Sequence, residues 1–328
     1  MRVARFLIIV VSTVVLLAVC SKKGGHNTSM FRADLMRTGV YHTKALENLS
    51  ALKWKFKTEG KINSSPAVAD GVVYFGSDDG NLYALDIETG REKWRFKSDY
   101  LIDSSPTVTV SDGIVYFASE NGALYAINNK TGQEKWRFGI KGGVDSSPAI
   151  ADGVIYLGDD DGNLYALDIE KGEEKWKFKT DERIYSSPAV SDGVVYFASV
   201  NGTLYAINNK TGQEKWRFGV KGGVVSSPAV ADGVVYFASR DGTLHAVGIE
   251  KGQEKWSFKT SRGSSSSPSI AGSIVYLGSG DGNLYALDIE TGREKWKFKT
   301  NGEVISSPAV ADGVVYFGSY DGNLYALE

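Results

Sequence analysis

The chain has 328 residues, 42% of them apolar and 23% charged, which is enough apolar material for a sizeable core. A formal net charge of -2 gives no electrostatic basis for binding nucleic acid, and one cysteine excludes an intrachain disulfide. The three histidines, His26, His42 and His245, are too scattered to form a metal-binding or catalytic cluster.

Residues 1–20 read MRVARFLIIVVSTVVLLAVC. Arg2 and Arg5 give a basic start, and Phe6 through Val19 is apolar except for Ser12 and Thr13. That run is short for a bilayer span, which takes about twenty residues, and suits a signal-peptide core. Its end, Leu17-Ala18-Val19-Cys20, resembles the bacterial lipobox, although Val19 stands where Gly, Ala or Ser is usual. The resemblance implies an exported lipoprotein, anchored to a membrane through lipid on Cys20, in the periplasm or at the cell surface. Ser21 would direct such a lipoprotein to an outer membrane in a Gram-negative host; the alternative is an uncleaved signal anchor. Residues 21–50 read as a linker and lead-in.

From residue 51 to 328 the sequence is one repeat array. The seven tryptophans, Trp54, Trp94, Trp136, Trp176, Trp216, Trp256 and Trp296, recur every 40 residues, with one step of 42. All seven prolines recur in Ser-Ser-Pro, from Pro66 to Pro308. One unit holds four short apolar runs, separated at Asp70-Gly71, Asp79-Gly80 and Thr89-Gly90. Asp-Gly between apolar runs signals a hairpin, because a type I′ turn needs positive φ at both central residues. Each unit is therefore expected to be a four-stranded antiparallel meander, the blade of a β-propeller.

Strand roles follow from the same pattern. Val72-Val73-Tyr74-Phe75 is apolar on both faces, as a middle strand between stacked blades must be. Lys93-Trp94-Arg95-Phe96-Lys97 alternates, so Trp and Phe face the next blade while cations guard the outer edge. The array begins with an outer-strand sequence, residues 52–58, and ends after a third strand at Leu327-Glu328. The N-terminal strand is expected to complete the last blade, closing an all-β, seven-bladed propeller with Trp54 in the docking role of the other tryptophans.

Ala84-Leu85-Asp86-Ile87-Glu88-Thr89-Gly90-Arg91-Glu92-Lys93-Trp94 resembles the tryptophan-docking motif A-x-D-x-x-T-G-x-x-x-W of the pyrroloquinoline-quinone-type propeller repeat. Residues 286–296 match equally; 126–136 and 206–216 carry Asn for Asp, and 246–256 carries Gly248 for Asp. Two branches of that family bear on function. Quinoprotein dehydrogenases have eight blades, adjacent cysteines and a calcium site, whereas this chain has one cysteine, in its leader. BamB-like lipoproteins, also eight-bladed, are non-enzymatic and dock a partner in the envelope. The resemblance implies a monomeric envelope scaffold with no catalytic residue, metal or cofactor. The alternatives are a quinone-dependent dehydrogenase and a small-ligand-sensing module.

No nucleophile-elbow, P-loop or zinc-protease motif occurs. Asp159-Asp160-Asp161-Gly162-Asn163 resembles part of a calcium loop but lacks its spacing and reads as a hairpin. His245 stands where other repeats have Tyr and reads as a packing substitution. Comparison of the repeats points elsewhere. Residues 127–156 and 207–236 differ at four positions; three exchange Ile for Val, and the fourth is Asp145 against Val225. The position before Ser-Ser-Pro reads Asn63, Asp103, Asp145, Tyr185, Val225, Ser265, Ile305. The position before the second turn reads Asp78, Glu120, Asp160, Val200, Arg240, Gly280, Tyr320. Both loops are expected at one end of the blades, forming a partner-binding face. Asn63, Asp78, Asp103, Glu120, Asp145, Asp159 and Asp160 would make an acidic sector. Tyr185, Val200, Val225, Arg240, Ile305 and Tyr320 would make a more apolar one. Such a face suits a protein with a basic segment beside an apolar one.

Overall fold

Each repeat folds into the expected meander. In the first, β1 (Ala67–Ala69), β2 (Val72–Gly76), β3 (Asn81–Asp86) and β4 (Glu92–Lys97) lie side by side in sequence order. The structure, a computed structural model, describes Asp34 and residues 56–311, 314–321 and 324–327. Within these residues are six four-stranded antiparallel sheets and a last sheet of three strands, all in sequence order. Cys20, Trp54 and most of the expected closing strand lie outside the described residues.

Burial follows the strand roles. In the second sheet the middle strand Ile114–Ser119 is buried throughout, while β4 alternates between half-buried and exposed positions. Stacking is aromatic and repeats from sheet to sheet. Phe96 on β4 lies 6.0 Å from Phe117 and 5.4 Å from Tyr125 of the next sheet, edge to face. Phe117 and Tyr125 stack on each other at 5.1 Å, a geometry that adds to simple area burial.

The tryptophans tie consecutive sheets together. Trp94 Nε1 donates to the Asn129 carbonyl of the next sheet at 2.9 Å, and Tyr74 Oη donates to the same oxygen at 3.3 Å. Trp136, Trp176, Trp216 and Trp256 repeat the bond to Ile169, Asn209, Ile249 and Ile289. Under each of these five indoles lies the turn glycine of the next repeat: a Cβ on Gly132 would stand 2.9 Å from the Trp94 ring. Trp296, expected in the same role, is exposed and makes no such dock among the described residues. A β-bulge, between Ala84 and Leu85 in the pairing of β3 with β4, sets the outer strand one residue out of register beside Trp94.

Ser-Ser-Pro has a role for each serine. The first closes a loop within its own sheet: Ser64 Oγ accepts from Gly76 N at 2.8 Å and donates to Gly76 O at 3.0 Å. The second links sheets. Ser65 N donates to Ser105 Oγ, Ser105 N to Ser147 Oγ, and the chain continues through Ser187, Ser227 and Ser267 to Ser307. Because the innermost strands of successive sheets also touch, this hydrogen-bonded thread runs along the axis side of the array.

The turns differ from expectation in one respect. Asp70-Gly71 has positive φ at both residues, 48° and 74°, as a type I′ turn requires. At Asp79-Gly80 only Gly80 is positive, and Gly80 N donates to Ser77 O. This second hairpin is a type I turn followed by a left-handed glycine, so the fixed glycine there serves one residue and not a pair.

Candidate functional site

The hairpin between the second and third strands and the loop leading into each inner strand lie at one end of every sheet. Backbone bonds join them. The N–H of Asp78 donates to Lys61 O, that of Glu120 to Leu101 O, and that of Asp160 to Gly143 O. Val200, Arg240, Gly280 and Tyr320 donate in the same way to Arg183, Gly223, Gly263 and Glu303. Each acceptor sits two residues before the other variable position. The structure therefore brings the two variable positions of each repeat together on one face.

Within the first three repeats these positions interact. Asn63 Nδ2 donates to Asp78 Oδ1 at 3.1 Å and to Asp103 Oδ1 at 3.2 Å, bridging two sheets. Burial raises the pKa of Asp103, and the carboxylates of Asp78 and Glu120 add to the rise against the Asn63 hydrogen bond. Asp145 is exposed at its surface, yet the packed atoms around its carboxyl remove part of its hydration. That desolvation, with repulsion from Asp160, Glu120 and Asp103, pushes its pKa up to about 6. Asp160 is raised as well, by burial first, and its Oδ1 is buried without a hydrogen-bond partner. Among the described residues no group of His, Cys, Asp or Glu is arranged to hold a metal ion.

Arg183 bounds the acidic sector. Its charge opposes the rise at Asp145 and Asp160, and Nη1 donates to Tyr185 Oη at 2.9 Å. Beyond it, Val200 and Val225 are half-buried, Arg240 is exposed, Ile305 is half-buried and Tyr320 is 69% exposed. Ile62 and Tyr100, in the loops leading into the first two sheets, are also exposed, at 47% and 53%.

Sequence reasoning passed over Arg183, Ile62 and Tyr100. Arg183 belongs to a series that reads Lys61, Leu101, Gly143, Arg183, Gly223, Gly263, Glu303, which also varies from repeat to repeat. One expectation is corrected. Asp159 is fully buried and is not on the face. It replaces the serine found at Ser77 and Ser119, and it accepts from Asn163 N at 2.6 Å and Asn163 Nδ2 at 2.9 Å. His245 takes the tyrosine's place: it stacks on Phe237 at 5.1 Å and sets Nδ1 2.8 Å from Glu254 Oε1.

Sheet order, stacking and the tryptophan dock define a β-propeller built from pyrroloquinoline-quinone-type repeats. The sequence matches the family described as outer membrane protein assembly factor BamB over residues 48–101, 97–185, 179–268 and 245–328, and the chain belongs to that family. BamB from Moraxella catarrhalis shares the fold with a TM-score of 0.73 at 20% identity, covering 84% of this chain and 88% of that one. Quinohemoprotein alcohol dehydrogenase from Comamonas testosteroni does so at 0.63 and 14% identity, covering 88% and 75%. The computationally designed Ika8 protein does so at 0.54 and 21% identity, covering 82% and 97%. No curated protein matches the sequence. One fold thus carries an assembly factor and an alcohol dehydrogenase, so activity must be argued from the site.

The raised carboxyl gives a pH signature. Asp145 titrates near 6 when folded and near about 4 when unfolded. The folded protein therefore holds this proton more tightly. Above about pH 6 the group is charged in both states and opposes folding; as pH falls from about 6 to about 4 that penalty is relieved. Asp145→Asn should raise the thermal midpoint at about pH 7.5 and lose this advantage by about pH 4.5, as read by calorimetry. An advantage that is constant with pH would contradict the assignment.

Proposed function

We propose that this chain is a non-catalytic envelope propeller that docks a protein partner on the face of its variable loops. The observation that carries the reading is the backbone bond that ties one variable position of every repeat to the loop carrying the other, which gathers sequence variation at one end of a constant frame. Such a division between fixed scaffold and variable loops is how a binding site is built on a rigid fold. The face joins an acidic sector, Asn63, Asp78, Asp103, Glu120, Asp145 and Asp160, to a sector holding Tyr185, Val200, Val225, Arg240, Ile305 and Tyr320. A partner with a basic segment beside an apolar one complements it. Membership in the BamB family supports a place among outer membrane protein assembly factors.

The same reading includes seven blades, the last completed by residues 52–58. Phe56 supports it: its ring lies 6.2 Å from Phe75 and 5.3 Å from Tyr83, the place that Phe96 takes against the second sheet. It also includes lipid on Cys20, which the lipobox-like sequence motivates. A quinone-dependent dehydrogenase is the second reading, favoured by the fold shared with the Comamonas enzyme. Mixing pure protein with pyrroloquinoline quinone and calcium separates the two, because alcohol or sugar oxidation would defeat the scaffold reading.

Charge reversal at Asp103 and Asp145 should slow association with a partner cross-linked from intact envelopes and weaken its salt dependence. Tyr185→Ala with Tyr320→Ala should speed dissociation. If both double variants bind like wild type while changes at Asp70 and Thr89 weaken binding, the partner uses the other face. Deleting residues 1–60 should lower the thermal midpoint sharply, and an unchanged midpoint would rule out closure by that segment. Cys20→Ser should abolish incorporation of labelled palmitate; continued labelling would place any lipid elsewhere.

A further inference from the structure

At the end of the blades away from the variable loops, the turn between the third and fourth strands is normally capped by a carboxylate. Asp86 Oδ1 accepts from the N–H groups of Glu88 at 3.2 Å and Thr89 at 2.9 Å, and Oδ2 lies 3.8 Å from Lys93 Nζ. Asp168 accepts from Glu170 N and Lys171 N at 3.0 and 3.1 Å and pairs with Lys175 at 3.0 Å. Asp288 accepts from Thr291 N at 3.0 Å and pairs with Lys295 at 3.3 Å. The hydroxyls of Thr89 and Thr291, each donating at 2.8 Å, and after them these backbone and lysine donors hold Asp86 and Asp288 below the usual carboxylate range. In the second and fourth sheets Asn128 and Asn208 make the same backbone bonds without the charge.

The fifth sheet has Gly248 there. The turn nevertheless keeps its shape. Gly252 N donates to Gly248 O at 3.0 Å, Ile249 N to Gly233 O at 3.1 Å, and Trp216 Nε1 to Ile249 O at 2.7 Å. The N–H groups of Glu250 and Lys251, the counterparts of Glu170 and Lys171, meet no acceptor among the described residues, and Lys255 makes no ion pair there. Gly248 is not in the left-handed region, so its backbone does not demand glycine. A Cβ placed on it would stand 3.4 Å from Lys255 Cε and 3.7 Å from Gln253 O, in ordinary contact. The space left by the missing side chain opens into a cavity of about 570 Å³, lined by Gly248, Glu250, Lys251, Lys255, Asp232 and Glu254. Of the three acidic groups in that wall, Glu250 is exposed to solvent at the turn, and Glu254 is held by His245 at 2.8 Å. Asp232 corresponds to Asp70 and Asp152, beside which the first and third sheets accommodate Asp86 and Asp168.

We propose that the fifth blade carries a carboxylate-binding subsite. An incoming carboxylate takes the place of the side chain absent at Gly248, accepts from the N–H groups of Glu250 and Lys251, and pairs with Lys255. The carboxylate is that of a free organic acid or of a peptide's C-terminus; either presents the same group to the same donors. The subsite is independent of the partner-binding face at the other end of the blades, and neither proposal requires the other.

Titration of the full chain with acetate, followed by the amide resonances of Glu250 and Lys251, tests it. Saturable shifts confined to that turn are expected. Gly248→Asp supplies the carboxylate from within and should abolish the response; this residue is already the one used in three other repeats. Lys255→Gln should weaken binding about two- to fivefold, the range of an exposed ion pair. A peptide with a free C-terminus that binds more tightly than acetate, and loses binding on amidation, would identify a chain terminus as the source. Equal affinities for acetate and peptide would identify a free acid. Absence of saturable shifts, or a Gly248→Asp protein that responds like wild type, would overturn the proposal.

Discussion

A single indole, reaching from the outer strand of one sheet onto the turn of the next, constrains nearly everything else in this chain. No sheet can bury both faces alone, so stability in such arrays resides largely in the interfaces between neighbours. At the five interfaces between the first six sheets one backbone carbonyl receives the tryptophan N–H, and at Asn129, Ile169, Asn209 and Ile289 it also receives a tyrosine hydroxyl. The turn that supplies this carbonyl must pass beneath the ring, so glycine is required where a Cβ would strike it. Gly132, Gly172, Gly212, Gly252 and Gly292 all meet that condition. Their φ values, 63° to 70°, would strain other residues as well. Tryptophan, glycine and turn fix one another, and the widest variation falls at the other end of the sheets.

How much of this was legible in the sequence depends on whether a residue acts through its pattern or through its partner. Strand order and the apolar faces follow from local periodicity, and the sheets conform to them. Ser-Ser-Pro was visible as a repeat but not as a mechanism. One serine bonds within its sheet and the next bonds across to another, a distinction that needs a partner 40 residues away. The bulge beside Trp94 was hidden for a related reason: Glu92 and Trp94 alternate normally along the strand, and only the pairing with β3 shows the shift. Two variable positions of the candidate face were legible because their side chains differ between repeats. Arg183 was missed because its position is defined by a backbone carbonyl, which any residue can supply.

Electrostatics separate the acidic sector from ordinary surface charge. Burial first, and then neighbouring carboxylates, raise the pKa of Asp103 and Asp145, which means that the folded protein is less stable for holding them ionised. Residues 127–156 and 207–236 show that the arrangement is not demanded by the fold. At the position of Asp145 the near-identical later segment carries Val225, and both loops form the same backbone bonds. A charge that the frame does not need and that costs stability is the kind of feature retained for a function. The Asn63 amide, shared between Asp78 and Asp103, relieves part of that repulsion without neutralising the sector.

Repetition makes each sheet a control for the others, and a departure can be judged by whether the structure compensates for it. His245 replaces a tyrosine, yet it keeps the aromatic stack and gains Glu254. Asp159 replaces a serine and would be a buried charge, yet both its oxygens are taken by Asn163. Those are exchanges within the frame, and neither leaves a group seeking a partner. Gly248 differs in kind. The carboxylate is gone while its donors remain in place, because Trp216 and Gly252 hold the turn regardless. Three turns of the same chain show what those donors bind when a carboxylate is within reach. The chemistry of the fifth turn is therefore specified by its neighbours, and what it lacks is an oxygen anion of the size that Asp86, Asp168 and Asp288 provide.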